Sequence, residues 1–419
     1  MTSMIQVCAN QRTLERDGQP FFWLADTCWS AFTNITEDEW IRYLDLRKEQ
    51  GINVLQINTL PQWDRGGTTL QYHPFPTDDG ARYSFDRIRP EYFARAARMC
   101  QQAVDRGFVL ALVVMWCNYV PDTWAARIFP DNAIPLEHLE PIVKTICETF
   151  NQFRPVYVVS GDTGFESELT YERYRLVTDL VDKYAPGLLK AYHIKGRYDG
   201  LPEDLAQRAD IYFYQSGHNA AGQHMTHTLA ESFRGRVPVR PVINSEPCYE
   251  QMGYSHKAYG RFGRKEVRWA LWQSLLSGAG AGITYGAHGV WNWFKNEMPK
   301  NPVAGEGFLQ ALEYTDALHF PGIADYAFAK DFCQGLGDLT PCQEVLAMYQ
   351  EHIRAARTED GRVLMYVSVN APIGLNGSFE PDVSVIDLET GEEQIVPIRD
   401  NQIQMHTGLA DALYILKEK

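Results

Sequence analysis

The stretch TEDEWIRYLDLRKEQGINVLQIN, Thr36 through Asn58, holds one complete turn of the pattern that decides the fold. Thr36 followed by Glu37, Asp38 and Glu39 is a helix start. The hydroxyl can cap free backbone N–H groups, and acidic side chains suit the positive end of the helix dipole. The helix is expected to reach about Gln50, where Gly51 stops it. Ile52 to Asn58 then reads as a short apolar strand.

The same unit recurs on both sides. Upstream, Ile5 to Trp29 opens with short alternating stretches, and the turn Asp17-Gly18 precedes Pro20-Phe21-Phe22-Trp23-Leu24-Ala25. That is a hairpin leading into a buried strand. Downstream, spacing predicts helices over 90–106, 136–153, 171–184, 202–208, about 225–233 and 264–276. Strands are expected at 108–116, 156–160, 188–194, 211–215, 239–244 and 280–285. Eight strands, each after the first preceded by a helix, imply a parallel sheet. Spread over roughly 300 residues, they suit a closed (β/α)8 barrel. An open doubly wound sheet would want a glycine-rich loop after its first strand, and Asp26-Thr27-Cys28-Trp29 is no such loop.

Past Pro321 the texture changes. A helical segment is expected at 344–356, followed by short strands at 363–369 and 383–388, the turn 389–392, and more short strands up to Leu416. This predicts a small antiparallel β-sandwich. The division expected is 1–322 for the barrel with its hairpin and 323–419 for the sandwich. No low-complexity linker separates them.

A chain of 419 residues fits one large and one small domain. Its 53 acidic against 39 basic side chains give a net charge of −14, which argues against nucleic acid or an anionic membrane as partner. Ten Trp and 22 Tyr suit either a well-filled core or a sugar site. No apolar run reaches the roughly 18 residues of a membrane span. The opening MTSMIQVCANQ has no basic stretch leading into an apolar one, and the eight cysteines are scattered without a CxxC pair, so a reduced, cytoplasmic protein is expected. No cofactor is implied. His218, His224 and His227 lie close in sequence but match no HExxH or Cys/His metal pattern, and neither GxSxG nor GxxxxGK[ST] occurs. His224 and His227 read as loop and helix-surface residues.

In such a barrel, chemistry sits at the carboxyl ends of the strands. The residues expected there are Asp26, Trp29, Gln56, Asn58, Trp116, Asn118, Asp162, His193, Tyr214, Gln215, His218, Glu246, Tyr285, His288 and Trp291. Asp162 follows strand four and Glu246 follows strand seven. Glycoside hydrolysis needs two carboxyl groups flanking the scissile bond. The plain alternative for either alone is a cap on the next helix. Asp26 reads as an acceptor for sugar hydroxyls, or as a cap for the segment after it. Asp162 is expected to be the general acid and Glu246 the nucleophile, with Tyr214, His218 and Tyr285 as donors holding Glu246 ionised. All thirteen besides Asp162 and Glu246 are expected to bind substrate.

Several strings also resemble the apiosidase-like glycoside hydrolase family. They are Gly18-Gln19-Pro20-Phe21-Phe22-Trp23-Leu24-Ala25-Asp26-Thr27, Gly51-Ile52-Asn53-Val54, Gln215-Ser216-Gly217-His218, Glu246-Pro247-Cys248-Tyr249-Glu250, and Thr284-Tyr285-Gly286 with Gly289-Val290-Trp291. The resemblance implies a barrel of the retaining-glycosidase type. It places the catalytic acids at the Asp of the Gly-Asp pair, Asp162, and the Glu of the Glu-Pro-Cys-Tyr string, Glu246. The C-terminal part resembles a collagen-binding-type β-sandwich domain often found behind this barrel. Two features depart from the family: Ser160-Gly161-Asp162 replaces Gly-Gly-Asp, and the loop Thr163-Gly164-Phe165-Glu166 is atypical. The expected activity is release of a terminal sugar, a furanose such as apiose among the candidates, from an oligosaccharide or small imported glycoside. A pyranose-specific glycosidase and a non-catalytic sugar-binding barrel are the alternatives.

Overall fold

The computed structural model describes residues 4–62, 70–78, 82–128, 130–255, 258–297, 309–404 and 411–419. Eight βα units follow one another. Their strands are β1 (Trp23–Thr27), β2 (Val54–Asn58), β3 (Val109–Trp116), β4 (Val156–Gly161), β5 (Lys190–Ala191), β6 (Tyr212–Tyr214), β7 (Val242–Asn244) and β8 (Gly282–Tyr285). The helices are α1 (Glu37–Glu49), α2 (Pro90–Asp105), α3 (Leu136–Phe150), α4 (Glu168–Tyr184), α5 (Glu203–Arg208), α6 (Met225–Arg234), α7 (Arg264–Leu275) and α8 (Gly322–Cys333). A three-stranded antiparallel sheet of Ile5–Val7, Leu14–Arg16 and Gln19–Phe21 precedes β1.

Helix α1 starts as its sequence dictates. Thr36 accepts from Glu39 N, and the Glu39 carboxylate accepts from Thr36 N at 2.9 Å, a reciprocal cap. Gly51 ends it at φ +83°, a region glycine enters without strain. The eight strands form one parallel sheet in the order β5-β4-β3-β2-β1-β8-β7-β6. Backbone bonds close the ring between its two ends: Asp210 N donates to Lys190 O at 2.9 Å, and Arg197 N to Gln215 O at 2.8 Å. Almost every strand residue is buried, because helices cover the outside and side chains fill the inside.

Within each strand, alternate residues face the barrel interior and the helix layer. Trp23 meets Phe213 inside at 5.5 Å between ring centroids. Asp26, one position out of phase with Trp23, pairs in register with Leu55 and Tyr285, and these look outward.

The C-terminal part also has eight strands: β9 (Thr340–Pro341), β10 (Ile353–Arg357), β11 (Arg362–Val367), β12 (Ile373–Gly374), β13 (Asp382–Asp387), β14 (Glu393–Arg399), β15 (Gln402–Ile403) and β16 (Ala412–Lys417). They form an antiparallel sheet, ordered β9-β10-β11-β16-β13-β14-β15-β12, which curls until Ala347 N donates to Gly374 O at 2.9 Å. The two layers enclose a core of their own, including Val363, Met365, Val383, Val385 and Tyr414.

One expectation needs correction. Residues 344–356 are not helical; a 3-10 turn at Gln343–Val345 leads to strand β10. Ile353 and Ala355 fill the sandwich core while Arg354 bonds Gln273 Oε1 on the barrel side, so a strand buried on both faces replaces the helix. The helix in this region is α8, which packs on the barrel through Tyr326, with its OH donating to Val267 O at 3.1 Å. It completes the eighth βα unit beyond residue 322, so we propose the division between the two parts after Cys333.

The sandwich is held on α7 by buried Arg268, whose Nε donates to Asp411 Oδ2 at 2.8 Å and whose Nη1 donates to Leu388 O at 3.1 Å, while Arg264 ties α7 to α8 through Asp325 at 2.8 Å. Among the described residues no helix is long and apolar enough to cross a membrane.

Candidate active site

Glu246 leaves the end of β7 and is 7% exposed. His218, from the loop after β6, brings Nε2 to 2.8 Å from Glu246 Oε1. The Tyr249 backbone N–H donates to His218 Nδ1 at 3.3 Å, so this imidazole carries its proton on Nε2 and donates to the carboxylate. His193, from the end of β5, brings Nε2 to 2.9 Å from Glu246 Oε2, close but out of line for a linear hydrogen bond. Its Nδ1 lies 2.9 Å from Ser245 Oγ, whose own proton goes to Tyr214 O at 3.1 Å. The ring therefore donates from Nδ1 to the hydroxyl. Burial by itself would raise the Glu246 pKa, but the His193 and His218 imidazoles more than offset it and bring it down to about 2. Glu246 is ionised across the neutral range.

Asp162 stands one residue beyond β4 and is partly open to solvent. Its backbone is left-handed, φ +50°, and its carbonyl accepts from Trp124 Nε1 at 2.9 Å. That conformation is rare for residues other than Gly, Asn and Asp. The desolvated surroundings, and then the charges of Glu246 and Glu166, raise its pKa well above the ordinary carboxyl value, against the pull of Lys195 and Arg197. The pKa values of the two carboxyls, at the ends of β4 and β7, are thus pushed in opposite directions, Glu246 down and Asp162 up.

Trp116 and Trp29 wall the site. Their ring centroids are 5.3 Å apart, and each lies 5.5–5.6 Å from the His193 ring. The Trp116 indole lies against Gly161, where an added Cβ would come within 2.2 Å of it. Around this wall, Trp116 Nε1, both amide atoms of Asn58, Asn118 Oδ1 and Gln215 Oε1 are buried without a hydrogen-bond partner among the described residues. Polar atoms in that state are costly unless something else satisfies them.

Other expected residues have different occupations. Asp26 is fully buried in the helix layer, where Arg47 Nε lies 2.8 Å from Oδ2 and the Tyr43 hydroxyl donates to the same oxygen at 2.7 Å. Tyr285 faces the same layer and donates to Glu250 Oε2 at 2.7 Å. The Tyr214 hydroxyl donates to Thr226 O on α6 at 2.8 Å, and its ring stacks on Phe233. Neither tyrosine is a donor to Glu246; the His218 imidazole holds that place, with His193 close beside the other oxygen. Gln56 does look inward, but its amide spans the interior, donating to Ser245 O at 3.0 Å and accepting from Thr284 at 2.9 Å. His288 accepts from Trp291 Nε1 at 3.2 Å and bonds Leu309 O at 3.0 Å; burial holds its pKa down at about 3, so it is neutral.

Tyr249 was missed. Its hydroxyl accepts from Trp29 Nε1 at 2.9 Å, and its ring lies 4.4 Å from that of His218. Gly286 makes room for it, since a Cβ there would lie 1.9 Å from the tyrosine ring. Its place three residues after Glu246 was the available signal. Ser245, the link to His193, was equally legible as the neighbour of Glu246. Among the described residues no group of three or more His, Cys, Asp or Glu side chains is arranged to hold a metal ion.

The family model described as "Apiosidase-like, catalytic domain" matches residues 8–338. A glycoside hydrolase family 5 protein from Bacteroides vulgatus superposes with a TM-score of 0.81 at 19% identity, covering 99% of this chain and 93% of its own. A structure described only as a glycoside hydrolase gives 0.82 at 19% identity, over 100% of this chain and 97% of that one. An exo-β-1,4-mannosidase from Opitutaceae bacterium strain TAV5 gives 0.52 at 14%, over 78% and 63%. At such identities these likenesses speak for the fold. No curated protein matches the sequence.

Proposed function

The chain belongs to the apiosidase-like catalytic-domain family and is a glycoside hydrolase; from that premise we propose that it releases a terminal sugar from a glycan or small glycoside by a retaining, two-carboxylate mechanism. Glu246 is the nucleophile and Asp162 the general acid. The observation that carries this reading is the divergence of the two carboxyls: His193 and His218 pull Glu246 down to about 2 while burial and the Glu246 charge push Asp162 up.

Each state suits one half of the chemistry. An ionised Glu246 can attack the anomeric carbon, and a protonated Asp162 can donate to the departing oxygen. Once the glycosyl ester forms, Glu246 loses its charge, and the repulsion that raised the Asp162 pKa falls away. Asp162 is then a carboxylate able to draw a proton from the incoming water. Trp29 and Trp116 offer aromatic faces to a sugar ring. The partnerless Asn58, Asn118, Gln215 and Trp116 atoms supply donors and acceptors for hydroxyls. We take apiose or another furanose as the first sugar to try.

The test is a panel of aryl glycosides, furanosides and pyranosides, with wild type beside Asp162→Asn and Glu246→Gln. Proton NMR of the first-formed anomer reads retention. Wild-type turnover of no aryl glycoside and no natural glycan would sink the hydrolytic assignment. An inverted product would overturn retention alone.

A further inference from the structure

A cavity of about 460 Å³ lies between the barrel and the sandwich, bounded by the 220–224 loop and α7 on one side and by residues 351–352 and 368–369 on the other. Its volume falls in the range of small-molecule sites, and a junction of two domains is where such sites often form. Trp269 of α7 contributes an aromatic wall, and its Nε1 is buried without a hydrogen-bond partner among the described residues. The His352 ring meets it at 6.1 Å and 58°, so the two rings form an angled corner rather than a stack. His224, Glu351 and Lys265 also line the cavity. Glu266 does too, but its oxygens are taken by Gly263 N at 3.0 Å and the Tyr254 hydroxyl at 3.3 Å.

We propose that this cavity is an accessory carbohydrate site that takes a neutral pyranose unit of the same glycan whose terminal sugar is cleaved. The lining decides the chemistry. A flat indole suits the C–H face of a sugar, and an unsatisfied N–H suits a ring hydroxyl. Imidazole and carboxylate groups accept and donate to further hydroxyls. One lysine faces two carboxylates, which leaves no cationic cluster for an anionic ligand. A single aromatic corner is too little apolar surface for a lipid.

The cavity is also mechanically continuous with the catalytic centre. The loop from Gly217 to His224 carries His218 at one end and forms the cavity wall at the other. Gln223 Nε2 braces it, donating to Gly217 O and Asn219 O, both at 3.1 Å. A sugar held against this wall therefore stiffens the segment that positions the Glu246 donor. The proposal rests on the glycosidase reading for the source of its sugar, and its test keeps the two apart.

The indole N–H resonance of Trp269 is assigned by its loss in Trp269→Phe. It is then followed in the full chain carrying Glu246→Gln, which removes turnover. Methyl β-D-glucopyranoside, methyl β-D-xylopyranoside and methyl β-D-galactopyranoside are titrated in turn, with sodium glucuronate as the anionic control. A saturable shift of that resonance with at least one neutral glycoside, and none with glucuronate, is expected. No shift with any neutral glycoside, or a shift with glucuronate alone, overturns the proposal. In otherwise wild-type enzyme, Trp269→Phe and His352→Ala should raise KM for a polymeric glycan roughly tenfold and leave kcat/KM for an aryl glycoside unchanged. Equal effects on both substrates would mean a structural role and overturn it as well. If wild type hydrolyses nothing, the hydrolytic reading fails while the resonance still answers for the cavity.

Discussion

His218 Nε2 stands 2.8 Å from Glu246 Oε1, and because the other ring nitrogen accepts the Tyr249 N–H, this imidazole can only donate to the carboxylate. The contact lowers the Glu246 pKa. A depressed carboxyl pKa favours the folded, ionised site above its unfolded value of about 4.3. That contribution is lost as pH falls through about 2. His218→Ala should move the acid limb of kcat/KM upward and reduce activity ~10–100-fold, the size of one hydrogen bond to a charged group. His218→Gln, which keeps an N–H donor, should recover part of it. A pH–rate profile with an unmoved acid limb in His218→Ala would remove His218 from this role.

The two carboxyls make different demands on the leaving group. Asp162→Ala should spare an activated aryl glycoside and cripple a natural one, since a good leaving group departs without a proton. Glu246→Ala should abolish turnover of both. Steady-state rates on the two substrates check this. The opposite pattern reverses the roles, and a loss under tenfold in both variants, about 1.4 kcal/mol, places the chemistry elsewhere.

Asp162 should be a liability to stability. Its raised pKa means the fold favours the protonated form, so its stabilising contribution is complete below the unfolded value and is lost as pH rises through the folded one. Asp162→Asn replaces a carboxyl whose ionisation burial and Glu246 both oppose by a group that never ionises, and Asn tolerates the left-handed backbone. The variant should melt a few degrees higher than wild type at pH 7 by calorimetry, with the gap closing at pH 4. A lower melting temperature at pH 7 would contradict the electrostatic account.

Gly161→Ala should damage the site from beneath. The added methyl would come within 2.2 Å of the Trp116 ring, so the indole must move. Overpacking of this kind costs about 1–3 kcal/mol. KM for glycosides should rise more than the melting temperature falls would explain. Unchanged kinetics would mean that the Trp116 wall does not touch substrate.

Asp26→Asn tests the reassignment of Asp26 to the helix layer. Breaking its buried pair with Arg47 leaves an uncompensated charge, a loss of about 3–5 kcal/mol. Denaturant melts should show that loss while KM of the folded fraction stays put. A raised KM with unchanged stability would return Asp26 to the sugar.

The order of elements belongs to the sequence itself. Caps such as Thr36, stops such as Gly51 and apolar runs such as 108–116 act within a few residues of themselves, so the eight βα units and the change to short strands are written locally. Helix α8 escaped because its apolar residues lie on more than one face, with Ile323, Tyr326 and Ala329 buried but Phe328 exposed, so it shows little amphipathic contrast. The strand-end reading also brought Asp162, His193, His218 and Glu246 to one rim, because a barrel sends every strand end to the same side. What it could not supply was phase. Barrel strands are buried on both faces, so no alternation of polar and apolar residues tells Asp26, Tyr214 and Tyr285, which look outward, from Trp23 and Gln56, which look in. That choice follows from register between neighbouring strands. The imidazoles beside Glu246 are likewise a tertiary matter: His193 comes from just past β5 and His218 from the loop after β6, more than 25 residues from the carboxylate in sequence. Only closure of the ring brings them within 3 Å of it and shifts the two carboxyls in opposite directions.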